Sequence, residues 1–522
     1  MTAINTSVSG DPSSIPVNAR GEQDDAPVAS GSITSDDFEN ENFPDLTPDD
    51  FESDEWIGKI YDDPHRLPLS VKEICFHALD ARGRPTGVID NRVYEYLTHT
   101  QHIFVCGGIP YVYMDGYYHM DLNGTILKTL IKECILEQFI RSTTIERIYK
   151  LFLQDRRLIK FQDELNRHTG RYINFQNGMY DVVSRKIYRH NPSIFSVNQI
   201  PWEYDPNADH GSGVEIENFL RKSIPDETDR EMLLEYAGLC CSIEVHQQKM
   251  LVICGDGGTG KSTVINLIQD MVGKRNTSNV AMSKLADNFQ AIRMMGKLLN
   301  SCADLEIDAL DDVTMIKKLT GEDSISDSFK GKDVISFDNY AKLLFSTNEL
   351  PLVRNEKTEG FYRRLLILTM NEKPEHRDAK LRDKLKAEMP YFIHIAMEAL
   401  RRMYKRGSIL ESENSKELTK QLRADSDTIE AFIDECCMKT KDPDDKLERG
   451  IIYKKYFEFC DENGRQAHQK LGFFKAMRNK GYSEVKSHGT WYFKGIAIKE
   501  EGTDEDGFMV VPEGQTEIPF PE

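Results

Sequence analysis

The sequence predicts an α/β protein, and three stretches carry that prediction. The apolar run at 250–253 leads through a glycine-rich loop into an amphipathic stretch at 264–271, which is the order strand, loop, helix. The runs 296–306 and 341–351 are likewise apolar and end in carboxylates and in an amide, the pattern of buried strands with polar ends. Helical periodicity at 217–242 and 390–406 supplies the layers that would cover such a sheet.

The loop itself reads Cys254-Gly255-Asp256-Gly257-Gly258-Thr259-Gly260-Lys261-Ser262-Thr263 and satisfies G-x-x-x-x-G-K-[ST]. Glycines there let backbone N–H groups curl around phosphate oxygens, and the next helix turns its positive N-terminus toward them. Lys261 is expected to reach the β/γ-phosphates and Ser262 to hold Mg²⁺, so the expected cofactors are ATP and Mg²⁺. A plain glycine-rich strand-to-helix turn is the alternative. In the 296–306 strand, Asp304 and Glu306 suit the Mg²⁺ shell and the attacking water, with Asp308 also in reach. Asn348, ending the 341–351 strand, can hydrogen-bond both a γ-phosphate and the lytic water. Arg363 and Arg364 open a further strand at 365–368, and either could stabilise transition-state charge on a neighbouring subunit's nucleotide.

With 522 residues the chain has material for about three domains. The net charge of −20 is concentrated at the ends: −13 in residues 1–56 and −8 in 500–522, leaving +1 for the body. A near-neutral body permits local basic surfaces of the kind a nucleic-acid channel needs. The ten cysteines form no C-x-x-C pair and no spacing with histidine for zinc, so reduced, buried thiols are expected. No apolar run approaches the roughly 20 residues of a membrane span, and no signal peptide precedes the polar start, so a soluble, cytoplasmic protein without a membrane partner is expected.

Residues 1–60 are rich in Ser, Gly, Pro and acids and read as a disordered acidic tail, with an acidic docking segment as the functional alternative. An α+β domain is expected over 65–230: a helix from 91, strands at 102–106, 110–114 and 117–120, helices at 125–139 and 143–154, and a 172–181 hairpin with an Asn177-Gly178 turn answered by 186–188. Tyrosines and basic residues interleave at 185–190, which suits single-strand stacking but equally the aromatic face of an ordinary sheet.

The stretches 112–118 (VYMDGYY), 174–181 (NFQNGMYD) and 199–206 (QIPWEYDP) resemble the domain that precedes the helicase in virus, phage and plasmid primase-helicases of the poxvirus type. The ordered set of glycine loop, acidic strand, Asn348 strand and arginine pair, over roughly 235–370, resembles the superfamily 3 helicases, a ring-forming AAA+ class. That resemblance implies a homo-oligomeric ring, expected as a hexamer, and a loop or hairpin gripping DNA in its channel. By match to the family's signature at 317–332, the phosphate-contact candidates are Lys318, Lys330 and Lys332, with a solvated lysine-rich turn as the alternative. Leu305 separates the two acids that family members commonly place side by side.

The AAA+ ATPase is expected over 231–405, followed by a 406–426 linker, a winged-helix-like DNA-binding domain at 427–499 and an acidic tail at 500–522. Lys470, Lys475, Arg478, Lys480 and Lys486 form its basic cluster. The resemblance omits the priming part, so a separate primase or replication initiator is the expected partner. The expected function is an ATP-dependent DNA helicase acting on single-stranded or forked DNA in replication of a phage, plasmid or mobile element. The alternatives are a non-unwinding AAA+ initiator or remodeller and, less compatible with the Asn348 and arginine strands, a P-loop kinase.

Overall fold

The computed structural model describes residues 72–73, 76–166, 170–303, 309–310, 312–353, 359–376, 378–440, 445–463 and 467–499. The acidic tails and the carboxylates Asp304, Glu306 and Asp308 lie outside those residues.

The chain opens with the hairpin β1 (His77–Leu79) and β2 (Pro85–Val88), then α1 (Asp90–Thr100). A meander follows, β3 (Ile103–Cys106), β4 (Ile109–Met114) and β5 (Tyr117–Met120), with α2 (Thr125–Cys134) and α3 (Ser142–Gln154) behind it. Phe76, Val93, Leu97, Val112, Ile131 and Phe152 close a small core between these helices and the meander. A second meander is formed by β6 (Tyr172–Phe175), β7 (Gly178–Asp181) and β8 (Lys186–Tyr188), and the helices α4 (Val214–Ser223) and α5 (Glu227–Leu239) follow it.

The central sheet is parallel and has the order β10-β11-β15-β9-β17. It contains β9 (Met250–Cys254), followed by the helix α6 (Lys261–Val272), then β10 (Thr277–Ser278) and β11 (Leu299–Cys302). After β12 (Ala309–Leu310) and α7 (Thr314–Leu319), the hairpin β13 (Ser324–Asp327) and β14 (Ile335–Asp338) leads to β15 (Lys342–Thr347). Then come β16 (Leu352–Val353), α8 (Glu359–Tyr362) and β17 (Leu365–Thr369). Helices α9 (Leu381–Ala387) and α10 (Met389–Arg406) complete the layer.

Both faces of this sheet are buried, which is why its strands read as continuous apolar runs rather than alternations. Leu251, Ile253, Leu344, Leu366 and Leu368 pack with Tyr236 of α5 and Phe392 and Leu400 of α10. Met250, Val252, Leu343, Phe345, Leu365 and Ile367 pack on the other face against Phe104, Tyr111 and Tyr118 of the first meander and Phe337 of β14. Helices α5 and α10 approach closely because position 238 is glycine: a Cβ there would stand 2.4 Å from the Ala396 carbonyl oxygen.

The cores do not follow the domain boundary expected at 230. Ile173, Phe175, Tyr180 and Ile200 belong to the same cluster as α5 and β9, so the second meander is part of the sheet's covering layer. The stretch expected as a linker is also structural. Helix α11 (Glu413–Ser426) lays Leu418 and Leu422 on the core, and its Ser415 hydroxyl accepts the Ile367 N–H at 2.8 Å. It thereby covers the edge strand β17, whose free N–H would otherwise need water.

The C-terminal module has its own core, built on Phe432, Tyr456, Phe473, Met477 and Phe493. It runs α12 (Thr428–Cys436), β18 (Cys437–Lys439), β19 (Lys446–Glu448), α13 (Arg449–Glu462), α14 (Lys470–Asn479), β20 (Glu484–Ser487), β21 (Thr490–Lys494) and β22 (Ile496–Ile498), with β19-β21-β20 as a small antiparallel sheet. The nine cysteines described carry free thiols, and among the described residues no cluster suits a metal ion and no helix is long and apolar enough to cross a membrane.

Candidate functional site

The glycine loop leaves the C-terminal end of β9 between the ends of β15 and β17, whose Thr347 and Thr369 both pair with Cys254. In an open parallel sheet such a place, where strand order reverses, is where ligands bind. The loop's shape depends on its glycines. Gly255, Gly258 and Gly260 have φ of +151°, +85° and +99°, and a Cβ on Gly255 would sit 2.0 Å from the Met370 carbonyl oxygen.

Lys261, the first residue of α6, is only 6 % exposed. Its ammonium donates to the Gly255 and Asp256 carbonyls at 2.5 and 2.9 Å and to Asn348 Oδ1 at 2.9 Å, which uses all three of its donors. Lys261 and Asn348 are thus in direct contact although 87 residues apart in sequence. Thr259 closes the loop by donating its hydroxyl to the Asp256 carbonyl at 2.9 Å. Ser262 is exposed on the first helical turn, Thr263 half-buried beside it, and Gly257 faces open space. On the rim, Lys373 pairs with Asp256 at 2.9 Å and holds its carboxyl below the usual range. Nothing in the sequence pointed to Lys373.

The acidic strand expected at 296–306 is observed as β11, which runs beside β15 with Cys302 paired to Phe345 and ends at the loop's edge of the sheet. Asp304 and Glu306 follow outside the described residues.

The two arginines lie at the other edge. Met250 N–H bonds to the Arg364 carbonyl at 2.8 Å, so the length of β9, about 13 Å, separates them from the loop. Arg363 is exposed and donates to Gln248 Oε1 at 3.0 Å. Arg364 is 8 % exposed, donates to the Gly360 carbonyl and has a buried Nε with no partner among the described residues. Burial first, and the Arg363 charge second, push its pKa down. The pair is therefore not equivalent, which the repeated residue type concealed.

The three lysine candidates separate as well. Lys330 and Lys332 sit exposed at the tip of the β13–β14 hairpin, with Gly331 between them at φ +77° and Val334 70 % exposed beyond. Lys318 is exposed at the end of α7, off the hairpin. The hairpin's base is fixed: Asp327 accepts the Phe289 and Ile292 N–H groups at 3.1 and 2.9 Å. Gln162 grips the opposite strand, donating to the Ser336 carbonyl at 3.1 Å and accepting from Asp338 N at 3.0 Å. A lone glutamine in a polar segment gave no hint of that role.

In the C-terminal module two of the five expected basic residues are neutralised internally. Lys480 pairs with Asp427 at 2.8 Å and with Glu430, and Arg478 pairs with Glu484 at 3.0 Å. Lys475 stays exposed on α14, and Lys486 lies 5.8 Å from the ring of Trp491, itself 44 % exposed.

A family model described as D5 N terminal like matches residues 92–225, which takes in both meanders and α4. Over that stretch the chain resembles the primase-helicase family. A second model, described as a family of unknown function, DUF5906, matches 253–364 and so brackets the loop, Asn348 and both arginines. Among curated proteins the chain is similar to a putative helicase of Acanthamoeba polyphaga mimivirus, 26 % identical over 212 residues, covering 38 % of this chain and 21 % of the relative. It is also similar to a putative helicase of Invertebrate iridescent virus 6, 28 % identical over 203 residues, covering 35 % and 20 %. A third, from Invertebrate iridescent virus 3, is 24 % identical over 270 residues, covering 49 % and 27 %. The chain thus spans a fifth to about a quarter of the length of these relatives. Among solved structures, the apo C-terminal region of NrS-1 aligns at 11 % identity with a TM-score of 0.45, covering 78 % of this chain and 98 % of that one. A JCV helicase bound to a small molecule aligns at 11 % identity with a TM-score of 0.25, covering 44 % and 66 %.

Proposed function

We propose that the chain is an ATP-dependent, ring-forming DNA helicase of the AAA+ superfamily 3 type, acting in replication of a virus, phage or related element in the host cytoplasm. The observation that carries the reading is the meeting of Lys261 and Asn348 at the mouth of the glycine loop. A lysine that closes a phosphate-sized loop and an amide at the end of the adjacent strand are the pair that a hydrolytic site needs. The loop also fits a polyphosphate: the N–H groups of Gly258, Gly260, Lys261 and Ser262 find no acceptor among the described residues, and the N-terminus of α6 points at the same space.

ATP would supply the phosphoanhydride bond whose cleavage drives the cycle, and Mg²⁺ would neutralise charge between its phosphates. Lys261 would exchange its carbonyl partners for phosphate oxygens, and Ser262, with Asp304, would hold the metal. Asn348 would orient the lytic water, which Glu306 would polarise. Arg363 is exposed and lies at the opposite end of β9 from its own loop, which supports a role on the nucleotide of a second copy. Arg364, held inside the fold, would position it. The Lys330–Lys332 tip, on a hairpin whose base is clamped on both strands, suits contact with the phosphates of a DNA strand. The C-terminal module, read as a winged helix, would add contacts through Lys475 and Lys486.

The test is displacement of a labelled strand from a forked duplex by the purified protein, with Lys261→Ala as control. Unwinding that requires Lys261 is expected. DNA-stimulated ATP hydrolysis without displacement would overturn it in favour of an initiator or remodeller.

A further inference from the structure

Between β5, the β6–β8 meander and the segment after α6 lies a cleft of about 750 Å³, lined by Tyr117, His190, Gln199, Lys274, Arg275 and Asn276 among others. It stands at the far end of α6 from Lys261, about 18 Å along a helix of 12 residues, so it is separate from the glycine loop.

Two features mark it. The rings of Tyr117 and His119, on one face of β5, stack at 4.0 Å between centroids, and Arg275 donates to Tyr117 Oη at 2.5 Å while lying 3.3 Å from His119 Nδ1. Lys274 and Arg275 are exposed, and Lys297 adds a third cation by donating to the Arg275 carbonyl at 2.5 Å. Among the described residues none of these three is in an ion pair, whereas Arg382, Arg402, Arg406 and Lys249 are each matched to a carboxylate. The one acid in the lining is Asp115, whose backbone carbonyl accepts from Gln199 Nε2 at 2.8 Å. The C-terminal dipole of α6 opposes an anion here, but the Val272 and Gln269 carbonyls are already taken by Asn276 Nδ2 and Gly273 N–H, both at 2.8 Å.

The cleft is also built in advance. Asn276 donates to the Gln199 carbonyl at 2.8 Å and accepts from Asn198 at 3.0 Å. Gly273, at φ +87°, admits Pro201 where a Cβ would stand 2.5 Å from its ring.

We propose that this cleft holds one nucleotide unit of a single-stranded nucleic acid, its base against the Tyr117–His119 pair and its phosphate on Lys274 and Arg275. Aromatic stacking next to cations is how proteins hold single strands without reading sequence. The side-chain amides of Gln199 and Asn276 are committed to the protein and hold the cleft's shape. The inference rests on the helicase reading in so far as that reading brings a strand to the protein.

The test is the affinity of the full chain for fluorescent (dT)20 as a function of salt. Lys274→Gln/Arg275→Gln should bind about tenfold more weakly and lower the salt slope by about 0.7, the value for one phosphate contact on a single strand. Tyr117→Leu should weaken binding about tenfold with the slope unchanged. Lys420→Gln, an exposed charge on α11, controls for net charge, and melting temperature controls for folding. Wild-type binding that these cleft variants leave intact would overturn the inference while leaving the helicase reading standing. Failure of wild type to bind any strand would overturn both. Competition by dTMP as strong as by the oligonucleotide, per mole, would reassign the cleft to free mononucleotides and overturn the strand assignment.

Discussion

The two edges of the parallel sheet each bury a lysine, and the two lysines have opposite meanings. At the C-terminal edge Lys261 is 6 % exposed and at the N-terminal edge Lys342, which opens β15, is 5 % exposed. Lys261 is surrounded by a glycine loop, an exposed Asn348 and an exposed Ser262, so its partners can be exchanged for a ligand. Lys342 donates to the Ser242 and Tyr340 carbonyls at 2.9 and 2.6 Å inside the packed body, and burial lowers its pKa to about 8. The arginines repeat the contrast within one edge, Arg363 outside and Arg364 inside. Burial of a cation therefore identifies a site only where the surrounding backbone leaves a concave mouth of unpaired donors.

Several substitutions would break or sharpen that contrast. The largest effect is expected at the open edge: Lys261→Ala should reduce ATP hydrolysis to background in a steady-state phosphate-release assay, with the circular dichroism spectrum retained. Next, Arg363→Ala should slow hydrolysis by about 10³-fold while ATP still binds, the scale of an arginine finger. Arg364→Ala should instead lower the melting temperature, and equal kinetic losses without a stability change would erase the distinction between the two. Gly255→Ala, forced against the Met370 carbonyl at positive φ, should cost about 3 kcal/mol in denaturant unfolding and abolish nucleotide binding in the same protein.

The sealed edge should answer only in stability. Lys342→Met leaves two buried carbonyls without a donor, about 1–3 kcal/mol at pH 7. The folded pKa of Lys342 lies below its ordinary value of 10.5, so its burial cost is fully present below about pH 8 and is relieved as the pH rises toward 10.5. Wild type should therefore gain stability relative to Lys342→Met between pH 8 and 10. Buried tyrosines and thiols titrate the other way in both proteins and cancel in the difference. A gap that narrows over that range would contradict the assignment.

Much of the parallel-sheet core was legible because its signals are local. An apolar run followed by glycines and Lys-Ser gives strand, loop and helix through backbone sterics alone, and periodicity placed α1, α3 and the first meander within a few residues. The functions of Gln162, Lys373 and Ser415 were not legible, because each is a single polar residue whose partner lies on a distant element. The same limit applied to 406–426. Its charged surface reads as a linker, while Leu418, Leu422 and Ser415 reveal their purpose only against the edge of β17.

The sequence by itself determined that a strand, a glycine-rich loop and a helix follow one another at 250–272, since φ-permissive glycines and hydrophobic spacing act within a few residues. Only the tertiary structure decided that β15 and β17 flank β9. That order joins Asn348 to Lys261, sends both arginines to the opposite edge and opens the cleft at the far end of α6. Strand partners are chosen by burial of two apolar faces across a hundred residues, and no local pattern encodes which run will lie beside which.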